Sequence, residues 1–375
     1  MIRYIYLALF LQLFLVKNLK SQTITNYYIS DGLLDNFVEC VAVDDNDNIW
    51  FGTISGVSMY EQSSGNWISY TVANYPGMAS NIIKEITVTA NGEVWIGTDF
   101  GASKYDGNSW ITYNSTNGLN NNQVKCISED QNGGIWIGTN QGVSYYDGIN
   151  WTSFGFPDLH WSGVSGVAFD SQGDKWFGAP LGGLMHYDGT TFAPYDTSNG
   201  LLSQNVTDIL IDAQDKKWIG TGSGISVLNS SNTLFTHHTK MYILSPPDTL
   251  NPVVEIEQDG LGNIWTAIYV GYLAEGGVAY WNGNQWTDYD HTDGIAGQNV
   301  KGLAIDSQNN VWIATSTGVS KISVIPNLIN DTFYDQPRNL IRKIDVLGRE
   351  INEENNKIIF YLYNDGEVIK KMTIH

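Results

Sequence analysis

From Gln22 onward, apolar residues fall in short runs separated by clusters of Gly, Asp and Asn. Runs this short read as strands joined by tight turns rather than helices with a 3.6-residue stripe. One unit of the pattern recurs. An apolar run such as VECVAV or VTDILI leads through an Asp-containing turn into a tryptophan strand such as NIWFGT. A T-x-x-G turn, a third strand and a fourth strand opening on an aromatic residue then follow.

The repeat is anchored by Trp50, Trp95, Trp136, Trp176, Trp218, Trp265 and Trp312, spaced 40 to 47 residues apart. Six residues before each stands an Asp (Asp44, Asp130, Asp170, Asp212, Asp259, Asp306), with Thr89 as the exception. Six residues after each stands a glycine: Gly56, Gly101, Gly142, Gly182, Gly224, Gly271 and Gly318. The run before the Asp reads as a strand buried on both faces. The Asp turn delivers the chain to the tryptophan strand. The glycine supplies the positive φ that a tight hairpin needs. Asp106-Gly107, Asp147-Gly148 and Asp188-Gly189 mark the next hairpin, and Trp67, Trp110, Trp151, Phe192 and Trp286 open fourth strands. Four antiparallel strands at this period describe one blade. The fold class is therefore all-β: a seven-bladed β-propeller with a small β-rich C-terminal appendage. The tryptophans are expected between blades, in the core.

The two ends of the repeat region complete each other. The seventh repeat stops near Ile322 without a fourth strand. Ile24-x-x-Tyr27 followed by Asp31-Gly32-Leu33 matches the end of the second repeat, Trp110-x-x-Tyr113 then Asn117-Gly118-Leu119. The N-terminal strand is thus expected to close the ring and remove two unpaired edges. The domains follow as 22–325 for the propeller and 326–375 for a tail. Residues 1–21 carry Arg3, an apolar run from Tyr4 to Val16 and a polar exit, which reads as a secretory signal cleaved before Gln22. The run is short for a bilayer span, so no transmembrane anchor is expected; an uncleaved anchor is the competing reading.

Charge narrows the partners. Between Gln22 and Ile325 there is no arginine, and nine lysines face 31 acidic residues, a net charge of −22. Such a field repels phosphate backbones and anionic lipid surfaces, so no nucleic acid partner is expected. Cys40 and Cys126 occupy equivalent places in the first and third repeats, with a blade between them, and read as buried unpaired thiols.

WIGT, the GVS-like strand and YDG together resemble the two-component regulator propeller repeat, over about 300 residues. That resemblance implies a propeller of the kind that forms the periplasmic sensing part of hybrid sensors. Thr266-Ala267 and Ala314 depart from the pattern, and no kinase, receiver or DNA-binding segment follows the repeats, so signalling output is not expected of this polypeptide. The tail, with Ile344-Asp345-Val346-Leu347-Gly348-Arg349-Glu350 and Tyr361-Leu362-Tyr363-Asn364-Asp365-Gly366, resembles the sorting tail of the type IX secretion system. That implies the type IX machinery as a partner and a secreted or outer-membrane surface location. By its own pattern the tail reads as three short strands turning at Gly348 and Asp365-Gly366. A β-appendage that stabilises the propeller is the alternative.

In a four-stranded meander, the loop between strands two and three shares an end with the connection to the next blade. The irregular segments fall there: TAIYVGYLAEGG with Tyr269, Tyr272 and Glu275; THHTKMYILSPPDTLN with His237, His238 and Tyr242; GFPDLHWSG with His160 and Trp161. Fourteen residues before the repeat tryptophans stand Asn36, Asn81, Asn122, Ser162, Gln204, Asn251 and Gln298, a ring at the starts of the innermost strands. Amides beside aromatics would suit a neutral glycan, peptide or protein ligand. The same amides can instead satisfy loop backbone.

Enzyme readings find less support. Sialidases hold their substrate carboxylate with arginines, absent from this propeller. Streptogramin-type lyases share the seven blades and a resembling D-x-x-G-N-x-W turn. They need a histidine with an acidic metal partner, and no spacing groups His160, His186, His237, His238 or His291 with a carboxylate. Asp44-Asp45-Asn46-Asp47 has the oxygen content of a calcium loop, but a solvated turn uses the same residues. No cofactor motif, nucleophile motif, phosphate loop or paired metal ligands are read in the sequence. The expectation is a secreted or surface binding module, with a lyase-like enzyme or a purely structural surface protein as alternatives.

Overall fold

A computed structural model describes residues 22–155, 159, 163–243 and 250–324, together with three strands of the tail. The chain divides between Ile325 and Pro326 into two compact units. The larger contains seven four-stranded antiparallel sheets. In six of them the strands pair in chain order. In the seventh, Val300–Ile305, Val311–Thr315 and Gly318–Val324 are completed by Gln22–Tyr27. That last pairing aligns Ile24 with Ile322 and Tyr27 with Val319, so the N-terminal strand closes the ring as expected. Asp47 of blade one further ties the seam, accepting from the Ser307 backbone at 2.9 Å and its hydroxyl at 2.6 Å.

The core lies between blades. Among the described residues, seven apolar clusters each join one blade to the next. Each contains one repeat tryptophan, none more than 6% exposed. Trp136 packs on Val167, Phe177 and Met185 of blade four. Trp312 packs on Val41 and Phe51 of blade one, across the seam. A large ring at a wedge between sheets removes more apolar area from water than an aliphatic side chain could, so the fold spends its largest residue there.

The recurring six-residue spacing of Asp and Trp has a direct cause. In six blades the indole Nε1–H donates to the Asp six residues back, at 2.8 to 3.1 Å. The other carboxylate oxygen accepts backbone N–H groups of the turn, as Asp130 does from Asn132 and Gly134. One side chain therefore satisfies both the turn and the buried indole. In blade two Thr89 replaces the Asp, its hydroxyl turns to Asn91 and Glu93, and Trp95 Nε1 has no partner among the described residues.

Five hairpins follow the T-x-x-G expectation. The threonine hydroxyl donates to the glycine carbonyl at 2.7 to 3.0 Å, and the glycine has positive φ. Two do not. In blade four the positive φ falls on Leu181 and Gly183 rather than Gly182. In blade six the strands lengthen to Ile264–Val270 and Glu275–Trp281, and Ala274, not Gly271, takes the positive φ. The added residues move the tip one or more positions along, away from the expected glycine.

The innermost strands also differ from a strand buried on both faces. One face packs between blades, while the other lines a central channel and is only partly covered. Cys40 and Cys126 are buried and unpaired. The smaller unit is a three-stranded antiparallel sheet of Leu340–Asp345, Ile358–Tyr363 and Val368–Met372. Gly348, Asp365-Gly366 and the expected secretory signal 1–21 lie outside the described residues.

Candidate ligand face and channel

Strand order gives the propeller two unlike ends. The Asp turns and the hairpins between strands three and four share one, here the turn end. The hairpins between strands two and three and the connections between blades share the other, the connection end. Hydrogen bonds join those two loop classes: Ile83 N–H to Thr53 C=O at 3.0 Å, Gly183 N–H to Gln204 C=O at 2.9 Å, and Ser316 N–H to Asn299 C=O at 3.0 Å.

Among the described residues, eight of the twelve large exposed apolar side chains stand at the connection end. Phe100, Leu181 and Tyr272 are the tips of three hairpins, exposed by 64%, 81% and 79%. Ile54, Ile82 and Ile243 lie on neighbouring loops. Among the described residues, Leu181 and Ala274 are also the two positive-φ residues that are neither Gly, Asn nor Asp. Left-handed backbone costs a residue with a Cβ, so a leucine there is held in a strained place while its side chain gains almost no burial.

The amide ring is used on the protein itself. Asn36 Oδ1 accepts from Ile29 N–H at 2.8 Å, Asn81 from Val72 at 2.8 Å, and Asn122 from Ser115 at 2.7 Å. Asn251 accepts from both Met241 and Tyr242 at 2.7 and 2.8 Å. Each carbonyl oxygen thereby pins the incoming connection. Gln204 and Gln298 are exposed; Gln298 Nε2 approaches His291 Nε2 at 3.5 Å. Of the irregular aromatics, Tyr272 points to solvent and Tyr269 is half-buried beside the same hairpin. Tyr242 turns inward instead, donating to Asp290 Oδ2 at 3.1 Å, and His238 stacks on Trp218 with ring centres 5.6 Å apart. His160, Trp161 and Ser162 lie outside the described residues.

The channel holds chemistry that the repeat pattern hid. Its volume is about 650 Å³, and its wall carries Glu85, Asp208, Glu255 and Glu257. Burial, with the charges of Asp208 and Glu257, pushes the Glu85 carboxyl up to about 8. Burial and the charge of Asp208 raise Glu257 to about 8. Burial raises Asp208 to about 6 and Glu255 well above the carboxylate range. Two of these groups bridge blades: Asp208 accepts from Ile256 N–H and Glu255 from Leu303 N–H, both at 2.7 Å. Glu39 pairs with Lys84 at 3.1 Å and Lys301 at 3.6 Å. The sequence signal was present, since each carboxylate interrupts an otherwise apolar strand.

The expectation that no histidine meets a carboxylate fails for His186: at the turn end the strand pairing brings it beside Asp174 and Asp170, three ligand-type atoms together. Their contacts are those of the other blades. His186 Nε2 meets Asp174 at 2.8 Å as Lys104 meets Glu93, and Asp170 receives the Trp176 indole. Lys217 Nζ, fully buried, stands 3.7 Å from Asp170 and supplies a cation already. Asp44 is likewise occupied by backbone N–H groups, Asn48 and Trp50.

Seven closed sheets with an inter-blade tryptophan ladder define a β-propeller whose open face is the connection end. Residues 32–55, 118–141 and 294–317 match the two component regulator propeller. The chain thus carries repeats of that family. By sequence, no curated protein matches it. Similar solved structures include the extracellular domain of a hybrid two component system from B. thetaiotaomicron, 20% identical with a TM-score of 0.69. That match covers 91% of this chain and 48% of the other, so the chain spans about half of that relative. Virginiamycin B lyase from Staphylococcus aureus is 15% identical, TM-score 0.64, over 81% and 99% of the two chains. PorZ, a surface component of the type-IX secretion system of Porphyromonas gingivalis, is 14% identical, TM-score 0.63, over 92% and 60%. Among the described residues, no helix is long and apolar enough to cross a membrane.

Proposed function

We propose that this protein is an extracellular or surface-attached binding module that receives its partner at the connection end. The observation that carries the reading is the concentration of exposed apolar tips there, Phe100, Leu181 and Tyr272 foremost. Exposed apolar side chains gathered on one face are the mark of an interaction surface. The extracellular and surface settings of two of the similar structures support the location. Trp161, His160, Tyr269 and Tyr272 are the proposed contact side chains. Asn36, Asn81, Asn122, Gln204, Asn251 and Gln298 shape the rim, four of them by anchoring its backbone. The partner is a peptide or protein, or a neutral glycan. The tail 326–375 is proposed to address the chain to the type IX secretion machinery.

The test replaces Trp161 and Tyr272 by alanine and compares the variant with the native chain on glycan and peptide arrays. Loss of a specific signal supports the reading. A signal kept at full strength by the variant, whatever its ligand, contradicts it. For the tail, removing 326–375 should leave the propeller folded and abolish its export in a host with that machinery.

A further inference from the structure

Two features of the connection end do not follow from a neutral ligand. The first is charge. Among the described residues, its loops and tips carry Asp31, Asp35, Asp99, Asp196, Glu275 and Asp293 against Lys240. Beneath them the channel wall adds little to that charge: burial holds the Glu85 and Glu255 carboxyls protonated, Lys84 and Lys301 share Glu39, and Lys125 also lines the wall, so the acidic field belongs to the rim. The second is breadth. The exposed apolar tips belong to blades two, four and six, and Ile54 and Ile82 add blade one. They stand around the channel mouth on separate hairpins, a spread that a small ligand cannot touch at once.

Resting on the reading above, we infer that the partner is a cationic polypeptide segment bearing apolar side chains, seated across the channel mouth. Its basic groups face the acidic rim, and its apolar side chains meet Phe100, Leu181 and Tyr272. Charge complementarity steers the encounter and excludes anionic partners, while contact area holds the complex. The strained Leu181 fits the same account, because its side chain is held out in solvent where a partner can cover it.

The experiment presents the full chain to an array of random 12-residue peptides and, in parallel, to an array of neutral oligosaccharides. The expected peptides combine net positive charge with aromatic or aliphatic residues, and their signal falls at least fivefold between low and physiological salt. The Phe100→Ser, Leu181→Ser, Tyr272→Ser triple variant, which keeps every charge, loses at least tenfold in affinity for them. Asp99→Asn with Glu275→Gln, one on an exposed tip and one half-buried at the foot of another, weakens binding and flattens its salt dependence. This second variant decides the matter if the triple variant unfolds. Neutral or acidic binding peptides that the triple variant loses would overturn the cationic partner while keeping the face. Oligosaccharide signals lost by the triple variant would do the same. An absence of binding peptides also overturns the cationic partner. Binding that the triple variant retains in full would remove the face itself.

Discussion

The two ends of the ring are built from the same seven repeats, yet they use their side chains differently. At the turn end acidic and amide side chains bond to their own blade or to a neighbouring one, as Asp215 does to Ser171 N–H and Asn309 to Gly260 N–H. Asp306 accepts from Trp312, from Asn310 through backbone and side chain, and from Gln308. Asp106 and Asp147 are held below the usual carboxylate range by backbone N–H bonds from the residues two and three ahead. Positive φ there falls on Asp47, Asp215, Asn232 and Asn309, which tolerate it. At the connection end the loops vary in length, apolar tips reach solvent, and Leu181 and Ala274 adopt the same backbone at a cost. The contrast teaches that stability is concentrated at one end, which frees the other to vary. Loops on a rigid scaffold are where function is placed.

Substitutions should therefore have large effects on stability in the ladder and small ones at the tips. Trp136→Ala removes a buried ring between blades three and four and should cost ~3–5 kcal/mol in chemical denaturation. A loss below about 1 kcal/mol would mean that the ladder is not the core. Asp306→Ala strips the acceptor from a buried indole and from turn backbone, and about 3 kcal/mol should go with it.

The channel carboxylates give a pH-dependent counterpart. The raised carboxyl of Glu85 favours the fold while protonated. That contribution is present below the ordinary value near 4.5 and is lost as pH rises through about 8. Glu85→Gln keeps it, so the variant should match the native chain at pH 5 and exceed it by ~1–2 kcal/mol at pH 9. Equal stability of the two at both pH values would show that Glu85 ionises freely in the channel.

Two smaller changes sharpen the contrast further. Thr89→Asp offers the missing acceptor to Trp95 and should stabilise by about 1 kcal/mol; a loss would mean that the blade-two turn cannot hold a carboxylate. Leu181→Gly releases left-handed strain on an exposed tip and should raise stability by ~0.5–1 kcal/mol while weakening partner binding. A clear drop in stability would show that Leu181 serves the fold after all.

Much of the architecture was legible because the repeat states the same physical requirement seven times. The Trp spacing, the Asp six residues earlier and the Ile24-x-x-Tyr27 match to a fourth strand were enough to predict the blades and their closure. The site was less legible, for reasons that differ by residue. Asn36, Asn81 and Asn122 recur because each pins a connection, so regularity itself signalled a local task. Tyr242 and His238 sit in a segment that looks like a long loop, and only packing against Asn251 and Trp218 turns them inward. Glu85, Asp208, Glu255 and Glu257 were hidden inside runs read as wholly buried, because strand periodicity does not reveal that a ring of strands encloses a wet channel. Gly182 and Gly271 held the expected spacing while the hairpin tip moved to its neighbours.

Hydrogen–deuterium exchange of the full chain, with and without a peptide selected on the array, tests the division of labour most directly. Slowed exchange should be confined to residues 53–56, 98–101, 179–183 and 270–275, with the Asp turns unchanged because they are already protected without a ligand. Protection centred on the Asp turns, with the hairpin tips unaffected, would contradict the account.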